Sequence, residues 1–423
     1  MENVESSFSS WLSDLKTDIQ TATRKSKLLE QQDQSCIMRV HRRNTKCMND
    51  YEPQMVSLGP YHHGKRNLQA FEDYKRKALV HFLRRSKIQP EEFVEAVEQD
   101  AEPLMKCYDK PEKKWSSSSQ DFVKLMLTDG CFVLEIVHLA FEYNMEGYPP
   151  HEPFLGPDDW HHKIILIRED MLLLENQLPF RLLYSLLTVL HKSPANKSTL
   201  ERDAKRILRF IHWDNPLKMV GVEDLKTARH PLDYLYSSMS LESRPQLPQL
   251  QEGYVLPTTK TALELSNAGV KFIPSESIAF SNGIFKLPFM KVEEKTRRKL
   301  LNLIAYERIL CETTTVTTYL NLMVDLMKTP EDVSVLCAAG IIHDCLESPQ
   351  EVVKLYRDIS CGLPRPNADT LSIRFDISSY WDSKRRSFGV YLKRTYFRSP
   401  WAFLLLVLLF SFISWWKRLL VWP

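Results

Sequence analysis

Eighteen consecutive residues near the C-terminus, Ser399 to Trp416, carry no charge: SPWAFLLLVLLFSFISWW. At a rise of ~1.5 Å per residue, a helix of this length spans ~27 Å, close to the ~30 Å hydrocarbon core of a bilayer. The run is apolar all round, so it has no polar face to turn to water. Trp401 stands at one end and Trp415 and Trp416 at the other, where interfacial aromatics belong. Lys417 and Arg418 can snorkel outward from the far end. The segment is therefore expected to be one membrane-spanning helix, 399–416, with a short tail, 417–423.

Flanking charge orients it. Lys384, Arg385, Arg386, Lys393, Arg394 and Arg398 precede the span, and only Lys417 and Arg418 follow. The positive-inside rule then puts the body in the cytosol, as a single-pass, tail-anchored protein. The sequon Asn196-Lys197-Ser198 points the other way, to an extracellular or lumenal body. Basic residues beside a span meet anionic lipid head groups. Their interleaving with Phe388, Tyr391, Tyr396 and Phe397 also has the look of a nucleic-acid surface. Their place against the membrane and a net charge of only +3 argue against that partner. At the other end, Phe8, Trp11, Leu12, Leu15 and Ile19 form one face of an amphipathic helix within residues 1–35. That segment lacks the basic start of a signal peptide.

Between the ends lies a body, 36–398, with few glycines (12 in 423 residues), which suits helices better than turn-dense β-structure. Helices are expected at Phe71 to Arg85, Phe122 to Tyr143, Ile164 to Leu190 with Pro179 kinking or dividing it, and Arg297 to Leu310. Others are expected at Thr318 to Met327, Val333 to Leu346, Glu351 to Ser360 and Ser372 to Tyr396. Ser277 to Phe280 and Ile284 to Leu287 flank an Asn-Gly turn and read as a hairpin, with Val270 to Ile273 as a pairing strand. A Pro- and Gln-rich linker near 242–257 is the best lobe boundary. The fold class is mainly α with a small β element: a helical globular domain, in one or two lobes, plus one C-terminal transmembrane helix.

The eight cysteines make no C-x-x-C pair, and Cys131 and Cys337 sit in apolar surroundings that suit buried thiols. No G-x-S-x-G, Walker A, G-x-G-x-x-G or H-E-x-x-H pattern occurs, so no catalytic residue, metal or cofactor is assigned. Two polar groupings remain as candidate functional motifs. One is the loop Ser57-Leu58-Gly59-Pro60-Tyr61-His62-His63-Gly64-Lys65, whose histidines suit proton transfer, a metal or a phosphate, or simply a hydrogen-bonded loop. The pair His161-His162 is a weaker version of it. The other grouping comprises Asp129 and Glu135 in one apolar helix, and Asp170 and Glu175 in another. Such carboxylates are costly to bury unless paired, and Arg168, Arg181 and Arg298 are available as partners. Asp129, followed by Gly130, could also cap a helix break.

The order VSLGPYHHG at 56–64, FEDYKRKAL at 71–79, DGCFVLE at 129–135, DMLLLENQLPF at 170–180, NLIAYE at 302–307 and DVSVLCAAGII at 332–342 resembles the plant family called domain of unknown function 247. The resemblance covers about residues 36 to 416. It departs at Met38-Arg39-Val40-His41, where the family has an aromatic residue before Arg-Val-Pro. It implies a plant, membrane-associated, mainly helical protein, with roles in self-incompatibility, growth or stress that look like recognition. The expected activity is therefore binding of an unidentified protein partner without turnover. The alternative is an enzyme of unfamiliar type, using His62 or His63 with the four carboxylates around a metal or phosphate.

Overall fold

The structure is a computed structural model. It describes residues 35–40, 48–112, 114–115, 120–142, 148, 160–192, 197–212, 220–242, 259–311, 313–360, 362–364, 366–396 and 408. The amphipathic segment before residue 35, the linker at 243–258, Asn196, Arg398 and, except for Leu408, the expected span 399–416 lie outside them. So do Trp401, Trp415 and Trp416, and the side chains of Arg386, Lys393 and Arg394. Among the described residues no helix is long and apolar enough to cross a membrane.

The described part is mainly helical. In chain order the helices begin with α1 (Gln69–Ser86), α2 (Pro90–Lys106), α3 (Gln120–Glu142), α4 (Trp160–Asp170) and α5 (Phe180–Leu190). They continue with α6 (Lys197–Ile211), α7 (Val222–Thr227), α8 (Pro231–Ser237), α9 (Ala262–Asn267) and α10 (Thr296–Leu310). The last are α11 (Thr315–Leu326), α12 (Pro330–Ala338), α13 (Pro349–Ser360) and α14 (Ala368–Tyr396). The strands are β1 (Ser240–Leu241), β2 (Lys271–Pro274), β3 (Ser277–Ser281), β4 (Ile284–Leu287), β5 (Met290–Val292) and β6 (Ile342–Asp344). The chain divides into two compact units, Met1–Ser238 with Glu294–Val316, and Met239–Glu293 with Thr317–Pro423.

The first unit is built around α3, buried on nearly every side and packed by α1, α2, α5 and α6. Its long apolar run, which would be unstable on a surface, is what lets it serve as a central helix. Asp129-Gly130 does not break this helix, so Asp129 is no cap. Gly130 is needed for close approach instead: a Cβ there would lie 2.5 Å from Leu186 Cδ1 and 3.2 Å from Leu182 Cδ2 on α5. Pro179 does divide the expected 164–190 helix; residues 171–179 form a turn, and Pro179 stands at the N-cap of α5.

The second unit carries the hairpin. β3 and β4 pair antiparallel across Asn282 and Gly283, both at positive φ (50° and 77°) as a type I′ turn demands. β2 pairs parallel with β4 and β1 parallel with β3, giving the order β1-β3-β4-β2. The helix expected over Val333 to Leu346 stops at Ala338. Gly340, at φ 73°, reverses the backbone, and the Ile341 N–H returns to the Leu336 carbonyl. That is a Schellman stop, after which β6 pairs parallel with β5. Cys337 is half-buried there, while Cys131 is fully buried on α3 in the first unit.

Candidate functional site

The loop at 54–64 has no strand partner for its backbone, so its N–H groups need acceptors from elsewhere. Side chains far away in sequence supply them. Asp170, at the end of α4, accepts from three successive N–H groups, those of Gln54 (3.0 Å), Met55 (2.7 Å) and Val56 (2.9 Å). Asn176 Oδ1 accepts from Leu58 N–H at 2.7 Å, and its amide donates back to the Val56 carbonyl at 3.0 Å. Asp129 Oδ2 accepts from Gly59 N–H at 2.8 Å. Gly59 sits at φ 71°, and a Cβ there would fall 2.9 Å from the Tyr108 hydroxyl and 3.1 Å from the Gln177 carbonyl. Only glycine satisfies both the backbone angle and the space.

Two cations balance the buried acids. Lys75 on α1 is fully buried, donating to Asp129 Oδ1 (2.6 Å) and the Ser57 carbonyl (2.9 Å), with Glu72 2.9 Å away. Burial is the main influence on Asp129 and raises its carboxyl pKa above the ordinary range, while Lys75 opposes the rise. Arg298 on α10 donates to Asp170 Oδ1 at 2.9 Å and to the Glu52 carbonyl. Asn302, one turn on, ties Asp50 and Leu174 together through its amide.

The histidines flank this clamp. His62, buried, has Nε2 3.6 Å from Glu175 Oε2; the other Glu175 oxygen accepts from Val40 N–H at 2.7 Å. His63 lies 3.7 Å from Glu72 and edge-on to Trp115. The structure thus gathers His62, His63, Asp129, Asp170 and Glu175 around one loop. Glu135 is elsewhere on α3, bonded to Arg85 at 2.6 Å and to the Tyr148 hydroxyl at 3.0 Å. Of the arginines foreseen as partners, Arg298 pairs with a candidate acid, whereas Arg181 pairs with Asp100. His162 is exposed on α4. Among the described residues no grouping of His, Cys, Asp and Glu has the arrangement of a metal site.

A second buried polar cluster surrounds Gln177, His230 and Asp233, none of them a candidate from the sequence. Gln177 donates to the Met171 and Leu173 carbonyls and accepts from Leu232 N–H, which pins the DMLLLENQLPF turn. His230, fully buried, has Nδ1 3.2 Å from the Asp233 amide nitrogen and 3.1 Å from Gln177 Oε1, and Nε2 2.9 Å from the Cys36 carbonyl. Burial holds this imidazole neutral, pushing its pKa down to about 4. Asp233 is held by Arg229 and the Tyr306 hydroxyl; although burial works against its charge, those hydrogen bonds keep its carboxyl below the usual range. In the first cluster Lys75 carried a sequence signal that went unread: it shares the stripe of Phe71, Ala78 and Phe82, where a cation needs a buried partner.

Of the quoted motifs, VSLGPYHHG is thus the loop, and DGCFVLE and DMLLLENQLPF carry the acceptors that hold it. A family model described as plant protein of unknown function, DUF247, matches residues 37–413. The chain belongs to this family. The DUF247 match takes in every residue of both clusters except Cys36. The chain is also similar to UPF0481 protein At3g47200 of Arabidopsis thaliana, 27% identical over 400 residues that cover 84% of this chain and 78% of the relative. Putative UPF0481 protein At3g02645 of the same plant is 27% identical over 236 residues, covering 50% of this chain and 43% of the relative. No solved structure matches it significantly.

Proposed function

We propose that this DUF247 protein is a membrane-anchored interaction protein, which binds another protein through its folded body and performs no catalytic turnover. One observation carries the reading: Asp129, Asp170 and Glu175 are engaged in holding residues 40 and 54–59, through backbone N–H groups and buried cations. Groups committed in this way are poor candidates for moving protons or binding a metal, because their release would cost the fold. The anchor is the uncharged run Ser399 to Trp416, and the basic residues before it face anionic lipid on the cytosolic side. Recognition in self-incompatibility, growth or stress signalling is the role the family resemblance favours.

The alternative, an unfamiliar enzyme, draws on the approach of His62 to Glu175. One experiment separates the two. The full chain, fused to a proximity-labelling ligase, is expressed in plant cells beside His62→Gln and Glu175→Gln variants checked for folding. The same labelled neighbours from all three uphold binding without turnover. A small-molecule product that disappears with both variants favours the enzyme. An alkaline wash of microsomes tests the anchor: the full chain stays with the membrane, and a chain stopped after Arg398 is released. A glycan at Asn196 would reverse the proposed orientation.

A further inference from the structure

The segment 35–40 meets the residue following α2 in a short parallel pairing. Cys36 N–H and Ile37 N–H both donate to the Cys107 carbonyl (2.9 and 2.8 Å), and Asp109 N–H donates to the Ile37 carbonyl at 3.0 Å. Ile37 is bridged to Tyr108, so Cys36 lies alongside Cys107. Paired strands run ~4.8 Å apart, within the ~4.4–6.8 Å between Cα atoms that a disulfide spans. Both cysteines are free, and each is the largest influence on the other's ionisation. Sequence spacing hides this pair, because α1 and α2 intervene.

We infer that Cys36 and Cys107 form a reversible dithiol–disulfide switch, oxidised by peroxide, that fastens the start of the domain to the end of α2. This goes beyond the proposed binding function and does not depend on it.

The two thiols are not equivalent. Cys107 is partly exposed and Cys36 almost fully buried. The hydrogen bond from Cys36 favours the Cys107 thiolate most; burial opposes it, and the positive charges of Arg181 and Arg229 add to it. The same hydrogen bond, then burial, keeps the Cys36 thiol protonated. As a thiol, Cys107 donates instead to the Pro103 carbonyl at 3.3 Å. The thiolate is the nucleophile, so Cys107 attacks first. Its sulfur bonds to one peroxide oxygen, the O–O bond breaks, and hydroxide leaves, giving a sulfenic acid. The Cys36 sulfur then attacks the Cys107 sulfur; the S–S bond forms and the S–O bond breaks. The departing hydroxide takes the Cys36 proton as water. In sum two thiols and one hydrogen peroxide give a disulfide and two waters. The bond would secure a segment already held by His230 at the Cys36 carbonyl and by Glu175 at Val40 N–H.

The test treats the detergent-solubilised full chain with hydrogen peroxide, alkylates it after denaturation, and maps it by peptide mass spectrometry. The expected result is that two of the eight thiols escape alkylation and appear as a Cys36–Cys107 cross-linked peptide, which dithiothreitol removes. Both thiols remaining alkylated would overturn the proposal. A 1,3-dione probe for sulfenic acid tests the order of attack. Cys36→Ser should accumulate the adduct on Cys107, and Cys107→Ser should show none on Cys36. An adduct on Cys36 in the second variant would overturn the assigned roles. The wild-type cross-link needs no variant, so a poorly folding mutant leaves the central test intact.

Discussion

The carboxylates around the 54–59 loop of the first unit and Asp332 of the second do different work. In the first, Asp129, Asp170 and Glu175 accept from backbone N–H groups between 70 and 135 residues away in the chain. In the second, Asp332 works mostly at home: it accepts from Thr329 N–H at 2.9 Å and from Lys328 N–H at 3.2 Å, closing a capping box at the start of α12, and reaches a distant group, the Leu263 N–H at 2.9 Å. A local cap forms with its own helix and satisfies groups that water could also reach. The distant clamp exists only after the chain has closed long loops, and the N–H groups it serves lie where water is scarce. The first kind of bond tunes an element; the second decides whether a loop has a structure at all.

The largest break in that comparison should come at Asp170. Asp170→Ala removes the acceptor for three N–H groups and leaves the Arg298 cation with a buried partner missing. Breaking a buried pair alone costs about 3–5 kcal/mol, so a loss on the order of 4 kcal/mol or more is expected in urea unfolding of the solubilised chain. A loss under about 1 kcal/mol would mean that the loop is held by its own packing, and the clamp would be incidental. Lys75→Met should approach the same size. Adding Asp129→Leu should recover only part of it, because the Gly59 N–H and Ser57 carbonyl remain without partners.

Next in size is a pH effect in the same unit. His230 folds neutral, with a pKa of about 4, whereas in the unfolded chain it takes up its proton near pH 6.5. As pH falls from about 6.5 towards 4 the unfolded state binds a proton that the folded state refuses. Its contribution is therefore fully present above pH 6.5 and is lost progressively on acidification. The span corresponds to about 3 kcal/mol at most. Melting curves from pH 7 to 4.5 should show the slope, and His230→Asn should flatten it. An unchanged slope in the variant would assign the acid sensitivity to other groups. Gly130→Ala should be smaller: helix propensity favours alanine by about 0.5–1 kcal/mol, but overpacking against Leu186 and Leu182 costs about 1–3 kcal/mol. A net loss of about 1 kcal/mol is expected by the same unfolding assay.

Local rules made the second unit readable. The Asn-Gly turn at 282–283 announced the hairpin, and Thr329-Pro330-Glu331-Asp332 spells the helix start seen at α12. The premature stop at Gly340 was legible too, since a glycine after a helix often takes φ > 0, but the apolar run through Ile342 masked it. In the first unit the apolar periodicity of α1, α3 and α5 was plain. The helices α2 and α6 carry equally good stripes, such as Phe93, Val97, Ala101 and Leu104, between strongly charged faces, with Pro103 inside the first. The motif residues His62, Asp129 and Asp170 stood out by type. Their partners did not, because nothing in sequence spacing links residue 54 to 170 or 75 to 129. Gln177, His230 and Tyr306 were invisible for the same reason: each is ordinary alone and acquires meaning only once three distant segments meet.

The smallest predicted effect is the sharpest check on the contrast. Thr329 is exposed, and its hydroxyl accepts from Asp332 N–H at 3.4 Å while donating to the Asp332 carboxylate at 3.0 Å. Thr329→Ala should cost only about 1 kcal/mol, the usual value of an N-cap, because water can replace the lost hydroxyl. Hydrogen exchange on the full chain would locate the loss. Faster exchange confined to the first turn of α12 would fit a local cap. A loss of protection throughout the second unit would mean that its capping boxes are as indispensable as the clamp around Asp170. The division between local and distant carboxylates would then be one of sequence distance alone, not of energy.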